Sequence, residues 1–258
     1  MRLKMTGLWV LLLALLLAGC SGEDEAPRAD TRAGDLVLHF QESEPGIDPY
    51  AVRMLVTQSH VRIDDGFDES GFVLYDRASR TIYSVTHEDR QILRIDYRPV
   101  TMAPPRELVY GQNESSDPQA PTIDGKLPVH YELLTNGQTC HDVVAVPGLL
   151  EEARLALIEY HDALAGEQAA NLFKTPPEFQ SDCMLSNLVF APSRYLEFGF
   201  PIQERTHDGY VRALVDFERE AELSPELFML PEYREYSINH GGAEGTSADD
   251  AAPAGTAI

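Results

Sequence analysis

Three cysteines, eight histidines and a large excess of carboxylates are the residues here that could do chemistry. The histidines are scattered, and no His-Glu-x-x-His box or comparable ligand spacing occurs. His39, His60 and His130 fall in strand-like runs, where packing and surface roles account for them. Asp64, Asp65, Asp68 and Glu69 sit close together in sequence, and calcium suits such hard oxygen ligands. Their spacing does not fit an EF-hand loop, so the segment reads as a solvated acidic hairpin. Glu151-Glu152 and Glu218-Arg219-Glu220 read as solvated faces as well. There is no Gly-x-Ser-x-Gly elbow, no glycine-rich phosphate loop and no Cys-x-x-Cys-His haem attachment. No catalytic residue, metal or cofactor is therefore expected. Paired carboxylates need only meet in three dimensions, which leaves a hydrolase with dispersed carboxylates as a minor alternative.

The thiols are more informative. Cys20 follows a basic start, Arg2 and Lys4, and an unbroken apolar run from Leu8 to Ala18. That run is far shorter than the roughly 20 residues needed to span a bilayer, and the arrangement is that of an export signal. Leu17-Ala18-Gly19-Cys20 resembles the lipobox of bacterial lipoprotein precursors. The resemblance implies a signal peptide at 1–19, a diacylglyceryl group on Cys20, cleavage before it and acylation of the new amine. One acyl chain binds a membrane only marginally, whereas two or three hold firmly. Ser21, where an aspartate would favour inner-membrane retention, implies the outer membrane, facing the periplasm.

Cys140 and Cys183 remain as an even pair in an oxidising compartment, and a disulfide between them is expected. Closing a loop of about 43 residues is worth about 4 kcal/mol in the chain-entropy model. The rival arrangement is a metal site using Cys140, His141, His161 and Cys183, for which no Cys-x-x-Cys or His-x-x-x-His spacing speaks.

The formal charge is −22, and loss of Arg2 and Lys4 makes it more negative. Such a chain repels nucleic acid and anionic head groups. Residues 20–34 are small and charged and read as a flexible tether, and 240–258 as a disordered acidic tail. A single domain is expected over 35–239.

Within it, β-branched and aromatic runs recur about every ten residues. They are Leu36–Phe40, Val52–Thr57, His60–Ile63, Gly71–Tyr75, Thr81–Val85 and Ile92–Tyr97, an antiparallel meander. Residues 98–128 read as a long polar loop. Val129–Leu134 and Thr139–Ala145 flank Asn136-Gly137, a hairpin turn. Leu150, Ala153, Leu157, Tyr160, His161 and Leu164 recur at helical spacing, with Gly166 as a candidate end or kink. Tyr195–Ile202 and Tyr210–Phe217 close the series. On the last strand Val211, Ala213, Val215 and Phe217 form an apolar face, and Tyr210, Arg212, Leu214 and Asp216 a mixed one. The fold class is therefore α+β, with an antiparallel sheet of about eight to ten strands and one main helix.

This order resembles the half-barrel fold of LolA, LolB and RseB and of exported bacterial families of that shape. The matching stretches are Val61–Asp64, Val73–Arg77, Thr81–Val85, Gly199–Ile202 and a closing segment at Leu227–Tyr233. The resemblance implies a curved sheet with the helix on its concave side. It also implies a hydrophobic ligand, an acylated partner or an envelope protein bound without catalysis. An assembly factor acting through surface contacts is the alternative.

Overall fold

The computed structural model describes residues 34–67, 70–172 and 174–238. The expected signal peptide, the lipobox residues Leu17, Ala18 and Gly19, the lipidation site Cys20 and the acidic tail lie outside them. No described helix is long and apolar enough to cross a membrane.

The fold is α+β, built on one open, mostly antiparallel sheet. The meander forms as expected: β1 (Asp35–Ser43), β2 (Tyr50–Val56), β3 (His60–Asp64), β4 (Phe72–Asp76), β5 (Thr81–Thr86) and β6 (Gln91–Ile95). Next come β7 (Tyr110–Ser115), β8 (Val129–Thr135), β9 (Gln138–Val146) and helix α1 (Glu151–Leu172). A short helix α2 (Asp182–Leu185) runs into a π-helical turn at Ser186–Phe190. The last described elements are β10 (Phe200–Thr206), β11 (Val211–Ala221) and β12 (Arg234–Ser237). Among the described residues the sheet has twelve strands, in the order β12-β6-β5-β4-β3-β2-β1-β11-β10-β9-β8-β7. It exceeds the expected size because both edge strands lack an apolar signature. Strand β7 lies inside the segment expected to be loop, is exposed throughout and pairs only with β8. Strand β12 is exposed throughout and joins β6 in the sheet's parallel pairing.

Local chemistry explains the elements. Leu36, Leu38, Phe40 and Glu42 of β1 all point into the covered face, the period-2 alternation of a half-buried strand. Asn136 and Gly137 both take positive φ and join Thr135 to Gln138 in a two-residue hairpin. On α1, Glu151 and Glu152 occupy the first turn, where the helix dipole favours them. Ala153, Ala156 and Leu157 of the helix are buried with Leu38, Met54 and Val143 of the sheet. Burying a large side chain such as Leu157 contributes about 1.5–3 kcal/mol.

Gly166 does not end α1, which continues to Leu172. A Cβ at Gly166 would stand 2.0 Å from the Arg98 carbonyl oxygen, so glycine is required for the close approach of the chain after β6. On the other face, Phe72, Leu74, Val85 and Ile92 are covered by Phe228, Leu230 and Tyr233. The expected closing segment thus crosses the sheet as a strap before β12 begins.

Candidate binding site

The register of five neighbouring strands builds a row of polar side chains across one end of the covered face. Tyr50 of β2 pairs with Glu42 of β1, and Glu42 with Arg212 of β11. Arg212 pairs in turn with Glu204 of β10. Directly opposed residues share a face, so all four point the same way. His141 of β9 completes the row through its hydrogen bond to Glu204 (Nε2 to Oε2, 3.0 Å).

Arg212 points inward because of a bulge. Phe40 pairs with Leu214 and Leu38 with Phe217, so β11 carries an extra residue between them, next to Val215. The expected division of this strand into one apolar and one mixed face is corrected accordingly. Leu214 and Phe217 pack on the same core while Val215 is 67% exposed. Before the bulge the inward face is the mixed one, carrying Tyr210 and Arg212.

These charges are buried: side-chain exposure is 11% for Glu42, 12% for Arg212, 7% for Glu204 and 8% for His141. Arg212 Nε lies 3.1 Å from Glu42 Oε1 without forming an aligned hydrogen bond. Its Nη1 lies 3.9 Å from Glu204 Oε1, and its guanidinium stacks over the Phe40 ring, 3.9 Å from the centroid. Burial pushes the Glu204 carboxyl up, but the His141 hydrogen bond and the charges of His141 and Arg212 hold it below the usual carboxylate range. An ionised carboxylate can only accept, so His141 Nε2 donates.

A cavity of about 240 Å³ opens over Arg212, Glu204 and His141. It is also lined by His161 and Leu164 of α1, by Tyr195 and by the apolar Leu188 and Pro192. Burial pushes His161 down to about 4. It is therefore neutral at physiological pH, and its Nε2 is hydrogen-bonded to the Tyr195 hydroxyl at 2.8 Å. Burial also raises Tyr195 well above its ordinary value, so this hydroxyl keeps its proton.

The expected disulfide joins Cys140 to Cys183. It removes both thiols from the rival metal arrangement, and among the described residues no group of three His, Cys, Asp or Glu is placed to hold a metal ion. Cys140 adjoins His141 in β9, and Cys183 lies in α2. The bond thus ties a strand that lines the cavity to the short helix leading into the Ser186–Phe190 turn, which also lines it. Asn187 of that turn donates to the Cys140 carbonyl at 3.0 Å.

Sequence reasoning reaches His141 and His161 only as rejected metal ligands, and it misses Glu42, Glu204, Arg212 and Tyr195 as site residues. The available signal is Glu42, in phase with Leu36, Leu38 and Phe40. Tyr195, expected in a strand, stands instead in a 3₁₀ turn at Arg194–Leu196, and β10 starts at Phe200. The acidic hairpin also needs correction. Asp64 is not solvated; it is buried and accepts from Arg53 and Arg62. Asp68 and Glu69 lie outside the described residues.

No family model and no curated protein matches this chain. Among solved structures it is similar to an uncharacterised conserved protein from Thermus thermophilus. That match has 9% identity, covers 80% of this chain and 91% of the other, and has a TM-score of 0.40. It is also similar to PNGF-II in a C2 crystal form, at 10% identity and a TM-score of 0.39, covering 80% of this chain and 31% of the other.

Proposed function

We propose that this is a lipid-anchored, non-enzymatic binding protein of the cell envelope, tethered through Cys20 at the outer membrane and facing the periplasm. Its ligand occupies the cavity over Arg212. The observation that carries this reading is a buried guanidinium with no aligned hydrogen bond, facing a cavity of about 240 Å³. Buried polar groups are ordinarily satisfied, and an exception beside a cavity is what a partner would complete.

The half-barrel resemblance belongs to the same reading, with α1 packed on the face that would be concave. There the helix fills the centre with Ala153, Ala156 and Leu157, each 0–2% exposed. A long acyl chain would have to displace the helix, so we assign the cavity a small ligand with a polar group. Such a ligand can be free or the exposed end of a lipid, an acylated partner or an envelope protein. Support for a non-enzymatic role comes from the surroundings of the His141–Glu204 pair. His141 bonds to Glu204, but the Ser186 hydroxyl donates to the Cys183 carbonyl instead of meeting His141.

Native mass spectrometry of the full-length protein in polymer-excised membrane patches tests this. A retained small molecule that disappears in an Ala191→Trp variant, which plugs the cavity, is expected. An unoccupied wild-type protein that also gains no mass from envelope extract would defeat it. For the anchor, palmitate labelling and membrane fractionation of Cys20→Ala should show loss of both label and attachment. Persistence of both would refute lipidation at Cys20.

An assembly role through surface contacts is favoured by one feature, a shallow groove on the outer face of β1 and β2. His39, Gln41 and Arg53 line it, with the exposed Val215 at its side. Crosslinking from Val215→Cys in intact envelopes would reveal a discrete partner there.

A further inference from the structure

We propose that the cavity over Arg212 takes an uncharged, hydroxyl-bearing ligand of monosaccharide size, free or as the end residue of a glycan. The proposal rests on the reading of this cavity as the ligand site.

The first argument is the gap between Arg212 and Glu204. Nη1 and Oε1 stand 3.9 Å apart, too far for a direct hydrogen bond. One oxygen atom can bridge them if it accepts from the guanidinium and donates to the carboxylate. A ligand carbonyl or carboxylate performs only the first half, and an ammonium only the second. A hydroxyl performs both.

Charge is the second argument. The guanidinium already lies between two carboxylates, Glu42 at 3.1 Å and Glu204 at 3.9 Å. Arg194 at the cavity wall is committed to the Leu134 and Gly111 carbonyls. An anion entering beside Glu204 meets a like charge, and a cation meets Arg212. Either one would be buried without a free counter-charge, which is costly, whereas a neutral ligand escapes that cost.

Shape supplies the third. The cavity exceeds the roughly 30 Å³ share of one water several-fold. Its lining combines the polar Arg212, Glu204 and His141 with the apolar Leu164, Leu188 and Pro192. A sugar ring presents the same pair of aspects, hydroxyls at its edge and C–H groups on its faces.

The test is saturation-transfer NMR and calorimetry on the full-length protein in nanodiscs. The probes are N-acetylglucosamine, glucose, chitotriose, butyrate and tetramethylammonium. At least one neutral sugar is expected to bind, with affinity falling about tenfold or more in Arg212→Lys, which keeps the charge but loses the planar fork. Ala191→Trp should abolish binding while the circular dichroism spectrum stays unchanged, a control for folding. Binding of chitotriose but not the monosaccharides assigns the glycan end, and equal binding the free sugar. Selective binding of butyrate or tetramethylammonium, lost in Ala191→Trp, overturns the neutral-hydroxyl inference yet leaves the cavity as the ligand site. Sugar binding that survives both variants, or no binding by any probe, overturns the inference outright. Recovery of a different ligand from the wild-type protein would then keep the binding reading alive.

Discussion

Asp64, on β3, is held between two arginines; three strands along the same sheet, Arg212 is held between two glutamates. The first cluster is closed. Arg53 donates to both Asp64 oxygens at 2.8 and 3.0 Å, Arg62 adds a bond of 2.6 Å, and the Gly66 amide adds another of 2.9 Å. Arg62 spends a further donor on the Leu227 carbonyl and stacks on Phe72. Burial pushes Asp64 up, but the two arginines outweigh it and hold the carboxyl below its ordinary range. The second cluster is buried as well, with no aligned hydrogen bond on its central charge. One is a clamp that fixes the strap to the sheet; the other keeps donors in reserve beside a cavity. Burial and charge alone do not separate the two uses, but hydrogen-bond saturation does.

The difference can be broken at either end. Asp64→Ala should cost the most, about 3–5 kcal/mol in urea unfolding, because it strands two arginines in and beside the core. Joint replacement Cys140→Ser and Cys183→Ser should cost about 4 kcal/mol. It should speed hydrogen exchange in the Ser186–Phe190 turn and leave the Asp64 clamp unaffected.

Acid should also separate the two regions. The unfolded chain protonates His161 below about 6.5, whereas the folded chain resists until about 4. Stability from this group is complete above 6.5 and is lost as pH falls through that window. The loss is of order 3 kcal/mol. His161→Phe should flatten that limb of the stability profile. An unchanged profile would mean that His161 is not buried neutral.

Arg212→Met should cost least, about 1–3 kcal/mol, because no aligned hydrogen bond is lost and Glu204 keeps the one from His141. If it proved as costly as Asp64→Ala, the two clusters would be alike and the contrast would fail.

Much of this architecture was legible in the residues. The meander, the Asn136-Gly137 hairpin, the long helix and the cysteine pair all rest on local signals: alternation, turn chemistry, helical period and thiol count. What escaped depends on contacts distant in sequence. Strand β12 has no pattern of its own and exists because β6 offers it an edge. Arg212 looks like a solvent-facing residue until the bulge beside Val215 reverses the assignment of faces. Gly166 looks like a helix terminator until Arg98 is placed against it. The site was hidden for the same reason: Glu42, His141, Glu204 and Arg212 lie far apart in the chain and meet only through strand register.

The position of β1 has a kinetic consequence. It is the first strand among the described residues, yet it sits inside the sheet, with β2 on one side and β11 on the other. A growing chain can zip β1 to β6 as soon as that segment emerges. The other edge of β1 stays bare until β11, far later in the chain, arrives to cover it. Such distant pairing makes folding slow and leaves an adhesive edge in the interim. A fragment ending before β11 should therefore self-associate, and the last strands serve the sheet as its closure against other chains.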